Sequence, residues 1–72
     1  MNNVNLMGRL CGEIELIRTQ NGNVCTNFSL AVDRYANGNK TTDFIRCVAW
    51  GKTAENIGKF FHKGDMLAIQ GN

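Results

Sequence analysis

Two Asn-Gly dipeptides, Asn21-Gly22 and Asn37-Gly38, punctuate the first fifty residues of this chain, and each lies between runs of alternating apolar and polar residues. Asn-Gly suits tight hairpin turns because both residues accept positive φ. Period-two alternation in turn places successive side chains on opposite faces of a strand. A chain punctuated in this way, with no proline and eight glycines, is constrained to antiparallel strands joined by hairpins.

Taken in order, Val4, Leu6, Gly8 and Leu10 share one parity, with Asn5, Met7 and Arg9 on the other. Glycine inside a strand is costly unless a bend or a close backbone approach is needed. Gly12 breaks the run, and Ile14 and Leu16 resume it, which predicts one long bent strand reaching about Ile17. After the Gln20–Asn23 turn, Thr26, Phe28, Leu30 and Val32 form an apolar row opposite Asn27, Ser29, Ala31 and Asp33, a half-buried strand within Val24–Arg34. A longer turn is expected over Tyr35–Thr41, followed by a third strand over Thr42–Gly51. From Thr53 to Phe61 the period changes: Ala54, Ile57 and Phe61, joined by Phe60, recur at helical spacing. His62 and Lys63 suit the helix's negative pole, and Gly64 is placed to terminate it. A fourth strand begins near Met66.

The expected fold class is therefore all-β with one short helix, a single domain over residues 1–72. A helix between the third and fourth strands of a five-stranded Greek-key barrel is the layout of the OB fold. No fifth strand is legible, so the sequence is expected to stop in or just after its fourth strand.

The third strand carries the most chemistry. Ile45, Cys47 and Ala49 form a row sized for the inside of a small barrel, whereas Phe44, Arg46, Val48 and Trp50 face the other way, with Lys52 in phase beyond them. Aromatics interleaved with cations build stacking platforms for unpaired bases. The same row also suits covering a helix or a partner subunit, and the stretch alone leaves both readings open. Tyr35, between Arg34 and Lys40, either reaches around a bound strand or packs on its own hairpin in a solvated loop.

Composition narrows the classes. With 43% hydrophobic and 19% charged residues and a net charge of +2, the chain is globular and no polycation, so any nucleic-acid contact depends on where its basic residues stand. No apolar run approaches the roughly 20 residues of a membrane span, and the N-terminus lacks the pattern of a signal peptide. Cys11, Cys25 and Cys47 cannot all pair and read as small buried hydrophobes of a reducing compartment. Together with His62 they lack the close spacing of a zinc site, so no metal is expected. The carboxylates Glu13, Glu15, Asp33, Asp43, Glu55 and Asp65 form no acid–base or metal motif, and no phosphate-cradling glycine loop is present. Catalysis and cofactors are accordingly not expected.

Several stretches together carry a resemblance. Met1-Asn2-Asn3-Val4-Asn5-Leu6-Met7-Gly8-Arg9-Leu10 resembles the start of bacterial and phage single-stranded-DNA-binding proteins. Gln20-Asn21-Gly22 with Asn27-Phe28-Ser29-Leu30-Ala31-Val32 is similar to that family's first hairpin and second strand. Asp43 to Asn56 resembles its third strand and helix start, and Phe60-Phe61-His62-Lys63-Gly64-Asp65 its helix exit. The resemblance implies an OB fold that binds and protects single-stranded DNA without sequence preference in replication, recombination and repair, usually as a homotetramer in the cytoplasm, on the nucleoid or encoded by a phage. It implies base stacking on Phe44, Trp50 and Tyr35 and backbone contacts from Arg18, Arg46, Lys52 and Lys63, joined by Arg34 and Lys40 through their location. The family's fifth strand, its long hairpin between strands four and five and its acidic tail find no counterpart here, so recruitment of replication and repair proteins through that tail is not expected. An RNA-binding or primosome-type OB module would use the same residue types, and a purely oligomerising domain would bury Phe44 and Trp50 between subunits.

Overall fold

Among the described residues the chain runs through six elements: β1 (Val4–Leu10), β2 (Ile17–Arg18), β3 (Val24–Ala36), β4 (Asn39–Trp50), α1 (Gly51–Phe60) and β5 (Met66–Gly71). This computed structural model describes residues 2–72; Met1, the first residue of the stretch that opens the family resemblance, lies outside them. The sheet is antiparallel and ordered β2-β3-β1-β5, with β4 on the other side of β3. A single helix joins β4 to β5, as the OB layout requires. No helix among the described residues is long and apolar enough to cross a membrane.

The long first strand expected from alternation is interrupted instead. β1 ends at Leu10, and the chain leaves the ladder before returning as the short β2 beside Val24 and Cys25. The cause is a set of contacts with the helix and its exit. Gly58 lies against Ile14 and Leu16, where a Cβ would meet them at 3.3 and 3.5 Å. Glu13 meanwhile accepts the Lys63 backbone N–H at 2.9 Å, with His62 Nδ1 at 3.3 Å. The Lys63 N–H, and then the His62 side chain, hold the Glu13 carboxyl below the usual carboxylate range. The remaining strands match the alternation, although the second hairpin is tighter than expected. Ala36 pairs with Asn39, leaving only Asn37 (φ 54°) and Gly38 (φ 78°) in the turn. Positive φ at both central residues is the type I′ geometry that matches strand twist.

The helix starts earlier than its periodicity suggests. Trp50 is still extended, and Gly51 at φ 60° turns the chain from strand into helix. At the other end the helix stops at an extended Phe61 rather than at Gly64, which lies in the following turn and donates its N–H to the Leu10 carbonyl. Phe60 was expected to join the apolar face but is 62% exposed, with the Lys59 ammonium 5.4 Å from its ring centre.

The core lies between one side of the sheet and α1: Leu10, Val24, Leu30, Ala49, Ala54, Ile57 and Leu67. β1 and β3 approach closely at Gly8, where a Cβ would lie 2.8 Å from the Ala31 carbonyl oxygen; this is the close approach that a strand glycine anticipates. Among the described residues, β4 and β5 are each paired on one side only. Between them opens a groove of about 770 Å³ lined by Leu6, Phe28, Ile45, Ala49, Ile57 and Ile69. That opening is why Ile45 and Cys47, although on the core side, are only half-buried. Burial still pushes the Cys47 thiol's pKa up, and all three cysteines are free.

Thr26 is fully buried in this core, and its hydroxyl has no partner among the described residues. A buried unpaired hydroxyl costs about 1–3 kcal/mol. Thr26→Val, which keeps the shape and removes that group, is expected to stabilise the fold by about 1 kcal/mol, read as a higher urea midpoint with an unchanged slope.

Candidate nucleic-acid interface

β4 pairs with β3 along its whole length, so directly opposed residues share a face. Ile45, Cys47 and Ala49 stand opposite Leu30, Phe28 and Thr26, on the side covered by α1. Phe44, Arg46, Val48 and Trp50 stand opposite Ala31, Ser29, Asn27 and Cys25, on the side that α1 leaves bare. Phe44 is 69% and Trp50 58% exposed, and Val48 between them is also largely open. Six residues at about 3.3 Å each separate the two aromatics by up to about 20 Å along the strand.

The row widens at the Trp50 end. Cys25 is flanked by Trp50 on β4 and Ile17 on β2, so an exposed Ile17 extends the apolar strip across three strands. Arg18, the next residue, pairs with Val24 and donates from Nη1 to the Gly22 carbonyl at 3.5 Å. Lys52 lies in the first turn of the helix, immediately beyond Trp50. The site's upper end is thus built where strand becomes helix.

The distal hairpin differs from this. Tyr35 is 74% exposed and opposite Lys40, on the Phe44 face. Arg34 points to the opposite side of the hairpin, and its Nε donates to Asp43 Oδ2 at 2.8 Å. Lys40 Nζ lies 3.9 Å from Asp33 Oδ2, and the Thr42 hydroxyl donates to the same carboxylate. Both cations are therefore compensated locally. Lys63 belongs to the helix layer: it sits in the turn after α1, its backbone held by Glu13, about 15 Å of helix away from Lys52. The structure thus brings together Phe44, Arg46, Trp50 and Lys52, with Arg18 at the same end of the sheet but opposite core-facing Val24, on its other side. Tyr35 and Lys40 share their face farther down the hairpin, whereas Arg34 and Lys63 stand elsewhere.

This distribution sets the electrostatics. Asp33 and Asp43 are engaged on the hairpin, and Glu13 and Asp65 accept hydrogen bonds from backbone N–H groups of the 62–63 turn. Among the described residues, no ion pair involves Arg46 or Lys52. A face bearing free cations and open aromatic rings can hold a flexible polyanion that carries π-faces. Arg9 lies on this face too, opposite Ala31; its signal in the sequence is a parity opposite to Leu6, Gly8 and Leu10. No group of His, Cys, Asp or Glu among the described residues is arranged to hold a metal ion.

Residues 1–72 match the profile of the Single-strand binding protein family. The chain is 45% identical over 74 residues to Single-stranded DNA-binding protein 1 of Streptococcus pyogenes, covering 99% of this chain and 57% of that protein. It is 46% identical to the Single-stranded DNA-binding protein of Fusobacterium nucleatum, covering 49% of it, and 42% identical to that of Oceanobacillus iheyensis, covering 46%. The chain therefore spans about half the length of these relatives.

Proposed function

This chain belongs to the Single-strand binding protein family, and on that premise we propose that it binds single-stranded DNA without sequence preference through the Phe44–Trp50 face. Bases stack on Phe44 and Trp50, with Tyr35 offering a further ring at the hairpin tip. Phosphates follow Arg46 and Lys52; Lys40 lies near the path beside Tyr35, whereas Arg18, Arg34 and Lys63 are more distant backbone contacts. Every base presents a π-face, which makes stacking tolerant of sequence. Duplex DNA is a poor ligand, because its bases already stack on one another. No bond is made or broken.

The observation that carries this reading is the row Phe44, Arg46, Val48, Trp50: large rings left open to solvent, interleaved with an unpaired cation, on the side of the sheet that the helix does not cover. The names and bacterial sources of the relatives support DNA as the ligand and the cytoplasm as its place. Roles in replication, recombination and repair, and assembly as a homotetramer, extend the same reading.

The single tryptophan reports on the site directly. Titration with oligo-dT is expected to quench Trp50 fluorescence strongly, and affinity is expected to fall as salt rises, by about 0.7 in the logarithmic slope for each phosphate neutralised. A folded sample that binds no oligo-dT in a filter assay would overturn the proposal. Binding without quenching would remove Trp50 from the site.

A further inference from the structure

The register of the sheet joins Phe44 to a residue two strands away. Phe44 is paired with Ala31, Ala31 with Arg9, and Arg9 with Met66, so these four side chains form one row across the sheet on the face that α1 does not cover. Strands lie about 4.8 Å apart, which places the Arg9 and Phe44 backbones about 10 Å from each other. Only the Ala31 methyl stands between them, whereas the longer, exposed Met66 closes the row on the other side of Arg9. Along this row the smaller neighbour of Arg9 is therefore on the Phe44 side.

Arg9 is exposed, and among the described residues its side chain enters no ion pair. An uncompensated guanidinium in the same row as an exposed aromatic ring suits a phosphate next to a stacked base: it binds oxygens in a bidentate fork and has no ion-pair partner to release first. Arg46, opposite Ser29 and next in phase after Phe44, lies on the β4 side of the same ring. Phe44 is thus flanked by cations on two sides, one on its own strand and one across the sheet.

From this geometry we infer that Arg9 is a DNA-backbone contact: the phosphate adjoining the base stacked on Phe44 is held from β1, so that at Phe44 the contact surface extends across the sheet as well as along β4. The inference rests on the proposed single-stranded-DNA site and assigns its path at one end.

The test uses the full chain with fluorescently labelled oligo-dT, reading anisotropy across a salt series. Arg9→Ala is expected to lower the logarithmic salt slope by about 0.7, so that the affinity lost between about 50 and 200 mM salt shrinks by a factor of about 2.6. Arg9→Lys keeps the charge and is expected to retain the slope, and Arg9→Glu is expected to bind more weakly than Arg9→Ala. In a double-mutant cycle, Arg9→Ala and Phe44→Ala are expected to be non-additive, as for groups that share one nucleotide. Wild-type binding with the same slope in Arg9→Ala would overturn the assignment while leaving the DNA site intact. An unchanged slope with an altered mass in sedimentation would likewise overturn it, placing Arg9 in a contact between copies of the chain. A folded wild type that fails to bind oligo-dT would remove the underlying site, and this inference with it.

Discussion

Replacing Trp50 with alanine is expected to weaken oligo-dT binding between about 5- and 150-fold while leaving the protein folded. The lower and upper bounds follow from about 1–3 kcal/mol lost per stacked base, at 1.4 kcal/mol for each tenfold. Trp50 is placed to show the full effect because its ring is open and lies at the junction of β4 and α1. Its contribution to the fold is small for the same reasons. The core cluster does not include it, and as the helix N-cap it supplies no side-chain hydrogen bond that alanine would remove. Circular dichroism should therefore be unchanged while anisotropy of a labelled oligonucleotide reports the loss. Phe44→Ala is expected to behave similarly, since Phe44 is even more exposed. Undiminished binding by the Trp50→Ala protein would show that the apolar strip from Trp50 to Ile17 serves another purpose.

Leu30→Ala is expected to have the largest effect on stability. Leu30 is fully buried, lies in the middle of β3, and is paired with both Leu10 and Ile45. It is thus the residue through which β1, β3 and β4 share one core. Truncating a buried leucine costs about 2–5 kcal/mol through lost transfer free energy and the cavity that remains. A domain of 72 residues has only about 4–11 kcal/mol in total at 0.05–0.15 kcal/mol per residue. The change should therefore lower the thermal midpoint by at least about 8 °C, and at the upper end the chain would not fold at room temperature. A loss below about 1 kcal/mol in urea denaturation would mean that the three strands are not held by a common core. The two variants separate the faces of one sheet: Trp50→Ala is expected to weaken binding and keep the fold, and Leu30→Ala to destabilise the fold.

Much of this division was legible before any coordinates. The alternation from Phe44 to Trp50 sorted ring-bearing and core residues onto opposite faces, and the structure keeps that sorting residue by residue. Asn21-Gly22 and Asn37-Gly38 marked both turns, and the periodicity of Ala54 and Ile57 found the buried face of the helix. The differences arise where remote contacts outweigh local pattern. Ile14 and Leu16 have strand alternation but pack on Gly58, and Glu13 is drawn to the N–H of Lys63, fifty residues away in sequence. That capture breaks the first strand. Phe60 fits the helical period yet stays in solvent because the surface is already filled by Ala54, Ile57 and the half-buried Phe61.

For the site, alternation along the chain was enough to show which residues of β4 face away from the core, because backbone pleating imposes a period of two wherever an extended chain has one buried side. It could not determine which cations share that face across strands, because this depends on register. Arg34 and Lys40 are both close to Tyr35 along the chain, yet Arg34 lies on the opposite side of the hairpin and each meets a carboxylate. Arg9 is thirty-five residues before Phe44 and shares its row only because Ala31 pairs with both. Periodicity is a local property of an extended chain and survives in any fold that buries one face. Register and charge compensation are sums over contacts between distant segments, and only the assembled sheet decides them.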